Sequence, residues 1–461
     1  MTMDTLSQNK PTGTQLDLSD KAVPAQLQRG RKQANPLRLV QRDLDLLTAI
    51  HDFGGVLTTI QIACLFWGPD LGRRLRGLGI AEPTIQRWLQ RYPAGALYEQ
   101  IELYKWLQAL NRLRQFQRLS NAQQKQITWL EGLRPNARAE LVTWLDQQLS
   151  RNPDTWLTIA IEQKRRLPEA FRQRPQFPSD FVSSACKTRL RYLAQTGLLQ
   201  PHEQAIRLSE GRAQTCYFLT RKGFNLVAQA KGVDPKTLDF KAAGAYGSLH
   251  LSHRLAINHF RIAMQLHVAH KGYRIVEWED DNALRRRLQK EKVTLLRLVR
   301  DPKTGDQEEK AEEHRLKIPD SYFVLDMGEA GVRHCFLELD NQTLTLDYTN
   351  ANAKDYASKI RILAAFYKGR YKELFPAAGD SMWFLTVTTG TETRLQHLKA
   401  TAEGVFGRQN RAADRYWFTT MDQIPLWEEY FGTALFAPIW LRGGDNRYWA
   451  LDEVEQGRAT G

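Results

Sequence analysis

Cysteine is scarce in this chain, and no motif depends on it. The 461 residues include only four cysteines, none of them in a C-x-x-C pair: Cys64, Cys186, Cys216 and Cys335. Each stands in an apolar stretch, where a thiol acts as a small buried hydrophobe, so a disulfide framework or a cysteine-rich zinc site is excluded. We therefore expect a protein of the reducing cytoplasm.

Long apolar runs and phosphate-binding loops are missing too. No apolar run approaches the ~20 residues of a membrane-spanning helix, and the first residues, MTMDTLSQNK, show no charged segment followed by an apolar core. We expect neither secretion nor a membrane partner. The absence of a G-x-x-x-x-G-K-[ST] loop excludes a P-loop NTPase.

Positive charge is what the chain has in excess. Lysine and arginine number 65 against 51 acidic residues, a formal net charge of +14. Such a surplus favours a polyanion as partner, and arginine suits the phosphate groups of nucleic acids. We expect duplex DNA, with a merely solvated basic surface as the alternative.

Composition divides the chain into segments. Residues 1–36, rich in Gln, Thr, Ser and Pro, predict a disordered tail. A helical pattern then begins near Arg42, breaks at Gly54 and restarts at Thr58, with Gln61 at capping-box spacing. Between residues 67 and 177, apolar side chains recur at three- and four-residue steps, which predicts an all-helical insertion.

A helix followed by a basic hairpin is predicted after Pro178. The helix would end at Gly197 and bury a stripe made of Val182, Cys186, Leu190 and Leu193; strands near 205–208 and 215–219 would flank a turn at 209–212. This order is typical of a winged helix-turn-helix DNA-binding domain, which we predict over 37–235, interrupted by the insertion. The alternative is a purely structural hairpin. The expected DNA contacts are Lys187, Thr188, Arg191, Arg207, Arg212, Arg221 and Lys222.

Helices and strands alternate in the C-terminal half. This pattern predicts an α/β domain over residues 245–445 with a tail at 446–461, and hence a multidomain α+β protein. Its most informative part is a hairpin that begins after Pro319-Asp320 and ends in Glu338-Leu339-Asp340.

Three acids should meet at the open end of that hairpin. With the turn centred near residue 330, Asp320 is expected opposite Asp340, and both should share a face with Glu338. Three close carboxylates repel unless a cation neutralises them, and oxygen ligands suit Mg²⁺ or Mn²⁺. The alternative is an exposed strand end that carries acids, although charges at the mouth of a buried strand are more often functional.

Pro-Asp, a hairpin and Glu-x-Asp together are similar to the PD-(D/E)xK nuclease core. The order of segments resembles the replication-relaxation family of plasmid and mobile-element proteins, in which a winged helix precedes such a core. The matching stretches are RDLDLLTAIHDFGGVLTTIQIACLF, RLRYLAQTGLL, YFLTRKG, HRLAIN, VEWED, IPDSYFVL, CFLELD and SKIRILAAFY. The resemblance implies a role in replication or DNA relaxation, with other replication or mobilisation proteins as further partners. For the core it implies metal-dependent DNA cleavage, with Asp320 and Glu338 as metal ligands and Asp340 as a third acid.

One departure leaves the activity open. The nuclease pattern has lysine two residues after its second acid, where this chain has Asp340. Lys359 on the next helix is a candidate substitute, with an ordinary surface lysine as the alternative. Glu279, or its neighbour Glu277, would supply an upstream acid. The second hypothesis is therefore a non-enzymatic DNA-binding, initiator or regulatory protein with an inactive nuclease-like domain; an RNA-binding or protein-interaction module is a third.

A run of arginines completes the set of candidate residues. Arg285, Arg286 and Arg287 follow the predicted strand that ends near Trp278. They are expected to form a phosphate-facing strip beside the acids, with an exposed basic hairpin as the alternative.

Overall fold

Each of two compact units draws on two separate stretches of the chain. The computed structural model describes residues 39–67, 71–77, 79–92, 94–149, 182–203, 215–300, 307–342, 356–379, 382–406, 411–424, 426 and 434–453. The first unit takes 1–69 and 177–258, and the second takes 70–176 and 259–461. The predicted tail at 1–36 lies outside the described residues. Within them, no helix is long and apolar enough to cross a membrane.

The first unit opens with a helix, a short strand and a helix. These are α1 (Gln41–Asp52), β1 (Val56–Thr58) and α2 (Thr59–Phe66). The Thr58 hydroxyl accepts a hydrogen bond from the Gln61 amide (3.2 Å), and the Gln61 side chain accepts one from the Thr58 amide (2.9 Å). The predicted capping box is therefore confirmed. Strand β1 is not predicted, because three residues show no period.

Helices follow through residue 149. They are α3 (Leu71–Gly77), α4 (Glu82–Arg91), α5 (Ala94–Arg114), α6 (Asn121–Glu131) and α7 (Pro135–Leu149). One apolar cluster forms around Trp88 and Ile101, and another around Trp106, Ile127 and Leu141. The described part of the predicted insertion is thus helical, as expected.

The rest of the first unit contains the helix and hairpin. Its elements are α8 (Ser184–Gln195), β2 (Leu199–Glu203), β3 (Thr215–Leu219) and α9 (Arg221–Lys231). All four residues of the predicted apolar stripe are buried. Strand β3 lies between β1 and β2 and is antiparallel to both. Strand β2 comes earlier in the chain than the predicted 205–208, and that segment and its turn lie outside the described residues.

The C-terminal half alternates helices and strands as predicted. Helix α10 (Ser248–Lys271) contributes its first residues to the first unit and the rest to the second. The following elements are β4 (Arg274–Asp280), α11 (Asp281–Leu288), β5 (Lys292–Arg300), β6 (Gln307–Arg315), β7 (Ser321–Asp326), β8 (Val332–Asp340), α12 (Tyr356–Lys368), α13 (Tyr371–Leu374), β9 (Met382–Thr388), α14 (Glu392–Phe406), β10 (Tyr416–Thr420), β11 (Trp440–Arg442) and β12 (Tyr448–Trp449).

A seven-stranded mixed sheet organises this half. Its order is β12-β11-β10-β9-β8-β7-β4, in which β8, β9 and β10 are parallel and the other neighbours antiparallel. Side chains such as Phe336 and Phe384 pack with α12 and α14 in one apolar core. Phe323 instead stacks with Trp278 and approaches Phe260 of α10. Strand β12 lies within 446–461, so part of the predicted tail is in the sheet.

Candidate functional site

The register of the β7–β8 hairpin decides which acids meet. Ser321 pairs with Leu337 across the two strands, so Asp320 lies opposite Glu338 when the register is extended by one residue. The expectation that Asp320 faces Asp340 was wrong. The turn is centred near residue 329 rather than 330, at the short helix Gly328–Ala330, and moving a hairpin's centre by one residue moves every partner by two.

Asp320 is held by the backbone of the neighbouring strand. Its carboxylate accepts a hydrogen bond from the Leu339 amide (2.8 Å), and its own amide donates to the Leu337 carbonyl (3.0 Å). Strand β8 is longer than β7, so the Leu339 amide has no backbone partner in β7. The Asp320 carboxylate accepts the hydrogen bond of that amide, which places its negative charge beside Glu338.

Glu338 forms an ion pair with a lysine from helix α12. The Lys359 ammonium donates to the Glu338 carboxylate, and both side chains are more than four-fifths buried. A crevice next to the pair is also lined by Pro319, Tyr356 and Tyr416. The structure thus brings the candidate lysine to the second acid, although the two lie 21 residues apart in the chain.

Asp340 is bound on both carboxylate oxygens. Arg394 of α14 donates from Nε (2.9 Å) and Nη2 (2.8 Å), and the Thr388 hydroxyl adds a third bond (2.8 Å). The aspartate side chain is 2% exposed. Hydrogen bonding to Asp340 raises the pKa of Arg394 above its usual value. The sequence analysis missed Arg394. No residue spacing links it to Asp340, and only the burial of that acid could have indicated that it needs a cationic partner.

Glu279 takes its ion pair from helix α11. Arg287 donates to its carboxylate, and the same guanidinium lies 4.0 Å from the Phe375 ring centroid. Burial raises the pKa of Glu279, an effect that Arg287 opposes and Glu277 reinforces. In the register of β4 and β7, Glu279 lies opposite Tyr322. Tyr322 is two residues after Asp320, so the two residues share one face of the sheet.

The arginine run lies on a helix rather than on a basic hairpin. Arg285 and Arg286 are exposed on α11, whereas Arg287 is engaged by Glu279. The exposed-hairpin alternative was therefore wrong for these three residues. The hairpin begins later in the chain, with β5 and β6.

The acids do not form a closed metal cage. Within the described ranges, no three His, Cys, Asp or Glu side chains are placed to hold one metal ion together. Asp320 and Glu338 are the pair that the hairpin register sets face to face. Two carboxylates are a sufficient protein donor set for Mg²⁺, which keeps waters and takes further ligands from phosphate.

In the first unit, α8 presents a polar stripe opposite its buried one. Lys187, Thr188 and Arg191 are exposed, and Lys187 and Arg191 lie four residues apart on one helix face. The intervening Arg189 turns to α1, where its Nε donates to the fully buried Asp43 (2.7 Å). That hydrogen bond raises the pKa of Arg189. The sequence analysis missed this ion pair, which joins residues 146 positions apart.

The remaining predicted DNA contacts fall at and around the hairpin. Arg221 lies over the Phe240 ring (4.0 Å to the centroid), and Lys222 donates to the Thr196 carbonyl (3.3 Å), so both side chains already have partners. Arg207 and Arg212 lie outside the described residues.

Comparison with known proteins gives one match. A family model described as replication-relaxation matches residues 161–376, a little under half of the chain. This range includes α8, the β7–β8 hairpin and Lys359, and it ends before Arg394. No curated protein and no solved structure matches the chain. Over this range the chain is similar to the replication-relaxation family, which is the resemblance that its residue patterns had indicated.

Proposed function

We propose that this chain is a DNA-binding protein that acts in the replication or relaxation of a plasmid or another mobile element. The observation that carries the proposal is helix α8, which exposes Lys187, Thr188 and Arg191 while its other stripe is buried. A helix followed by an antiparallel hairpin is the arrangement of winged-helix DNA readers. The match to the replication-relaxation model supports the biological role.

Helix α8 is suited to lie in a DNA groove. Lys187 and Arg191 would bind phosphates, because cationic side chains neutralise the DNA backbone. Thr188 would reach base edges, because a short hydroxyl side chain can form hydrogen bonds there. The Asp43–Arg189 pair ties the helix to α1 and so fixes the direction of the exposed stripe. The hairpin β2–β3 would extend the contact, and other replication proteins would bind elsewhere.

Duplex binding measured over a range of salt concentrations tests this role. Lys187→Ala and Arg191→Ala should each weaken binding and lower the salt slope by about one, because each removes a phosphate contact. Lys236→Ala is the matched control, an exposed lysine of the same unit on a different element. Unchanged affinity and slope in both α8 variants would overturn the proposal.

A second candidate function is metal-dependent DNA cleavage. The specific observation in its favour is the Lys359 ammonium on Glu338, with Asp320 opposite in the hairpin register. Asp320 and Glu338 would hold Mg²⁺ or Mn²⁺, which when bound supplies an acidified water and neutralises phosphate charge. Lys359 would stabilise charge on the phosphate or orient the water. We assign Asp340 a structural role, because Arg394 and Thr388 occupy its carboxylate.

Nicking of supercoiled plasmid distinguishes the two candidates. With Mg²⁺ or Mn²⁺ present, wild-type protein should nick the plasmid, and Asp320→Asn and Lys359→Met should abolish nicking without changing duplex affinity. Arg361→Met, an exposed site on the same helix as Lys359, is the control. Nicking that survives Asp320→Asn would refute this site. Tight binding without nicking by the wild type would leave a DNA-binding protein whose nuclease-like domain is inactive.

A further inference from the structure

A second cavity opens beside helix α12. It has a volume of about 260 Å³ and is lined mainly by aromatic rings and two cations. The lining residues that matter here are Tyr367, Lys368, Phe406, Arg415 and Tyr416. This volume lies slightly below the range of about 300–1,000 Å³ for sites of drug-sized ligands, so the cavity suits a smaller group, and its lining is mostly apolar with a few polar groups, as in such sites.

The rings of the cavity pack on one another. The Arg415 guanidinium lies over Tyr367, 4.4 Å from the ring centroid, and Tyr367 also stacks with Tyr371 at 5.0 Å. Tyr416 stacks on Phe384 with centroids 4.7 Å apart and planes 10° from parallel, and Phe406 packs at 5.1 Å from Tyr416. Flat aromatic and guanidinium faces of this kind are the surfaces on which nucleobases stack.

Tyr416 also brings a polar group that lacks a partner. The residue is 2% exposed, and its hydroxyl makes no hydrogen bond within the part of the chain that the structure describes. A buried hydroxyl without a partner is costly, so such groups in native proteins call for an explanation. A ligand with hydrogen-bonding edges would supply the missing bond.

We propose that this cavity receives a nucleobase from a single strand of DNA. The base would stack on the Arg415 guanidinium, which itself lies over Tyr367, its edge would bond the Tyr416 hydroxyl, and the exposed Lys368 would bind an adjacent phosphate. Purely apolar ligands would leave the hydroxyl unpaired and make no use of the cations. A base meets all three requirements, because every base has a flat face, a polar edge and a linked phosphate.

The cavity adjoins the crevice of the Glu338–Lys359 pair. Phe384 and Tyr416 line both spaces. Lys359 and Tyr367 are eight residues apart on α12, about 12 Å of helix, which corresponds to about three or four nucleotides at 3.4 Å each. This inference rests on the proposed partner, DNA, and adds that an unpaired strand is held next to the candidate site.

A fluorescent base can test the cavity in the full chain. The probe is a short single-stranded oligonucleotide that contains one 2-aminopurine, whose emission falls when it is stacked. Tyr367→Leu keeps apolar volume but removes the ring on which the Arg415 guanidinium lies, and Arg415→Gln removes the guanidinium itself. Each should weaken single-strand binding about five- to one-hundred-fold and relieve the quenching, the range for loss of one stacked base. Arg361→Gln, which loses the same charge from an exposed site on α12, should keep the quenching and most of the affinity.

The result separates this inference from the proposed function. If Tyr367→Leu and Arg415→Gln leave single-strand affinity and quenching unchanged while Lys187→Ala weakens duplex binding, the cavity proposal is overturned and DNA binding stands. If the cavity variants lose single-strand binding while Lys187→Ala has no effect on duplex, the cavity stands and the α8 site is wrong. Thermal unfolding of each variant identifies any that fail to fold, and Arg415→Lys then tests the cavity, because it keeps the charge without the flat face.

Discussion

Replacement of Arg394 by methionine tests the structural role assigned to Asp340. The Asp340 side chain is 2% exposed and accepts three hydrogen bonds, two of them from Arg394. Methionine matches much of the arginine stem but carries no charge, so the variant leaves a buried carboxylate with only the Thr388 hydroxyl. Breaking one side of a buried ion pair destabilises a protein by about 3–5 kcal/mol.

We therefore expect Arg394→Met to lower the free energy of unfolding by about 3–5 kcal/mol at pH 7. Urea denaturation at pH 7 measures this loss.

The control, Arg361→Met, removes an exposed arginine from α12 and should change stability by less than about 0.5 kcal/mol. The double variant Asp340→Asn/Arg394→Met should recover part of the loss, because no charge is left buried. A loss below about 1 kcal/mol would refute the reasoning.

Three further predictions follow from other buried groups. Arg189→Met should destabilise the first unit by about 3–5 kcal/mol in chemical denaturation, because it strands the fully buried Asp43; an effect below about 1 kcal/mol would contradict this. Burial lowers the pKa of His259, so its stabilising effect is complete above pH ~6.5 and is lost as the pH falls; His259→Gln should flatten stability between pH 7 and 5, and an unchanged slope would count against it. Burial raises the pKa of Cys186 and Cys216 to about 12, so iodoacetamide at pH 8 should label them only in denaturant, and rapid labelling of folded protein would disprove their burial.

Elements with a long local period could be predicted from the sequence. Helix α1 begins within one residue of the expected Arg42, and strand β3 has the expected bounds 215–219, because each shows its periodicity over enough residues to be recognised. Strands β1, β11 and β12 have only three, three and two residues, and β1 and β11 pair with strands that are distant in the chain. Such strands exist only through tertiary contacts, so the local pattern does not indicate them.

The register of the hairpin shows a second limit. Gly328 and Gly331 both adopt positive φ, at 62° and 85°, so a turn centred at either 329 or 330 fits the sequence. The apolar strands on each side of the turn are compatible with both registers. The two registers differ by two residues in pairing, so every side chain stays on the same face of the sheet. The candidate acids could therefore be named from the sequence, but not which of them face each other.

Each of the three acids has a binding partner within the chain. The chain itself neutralises them: a backbone amide binds Asp320, an ammonium binds Glu338 and a guanidinium fork binds Asp340. These partners differ in how readily they can be exchanged. The arginine fork is rigid and bidentate, whereas a lysine is a point charge on a flexible stem that can move from carboxylate to phosphate. Asp320 and Glu338 are thus the acids that a bound phosphate and its cation could recruit, while Asp340 keeps its place in the sheet.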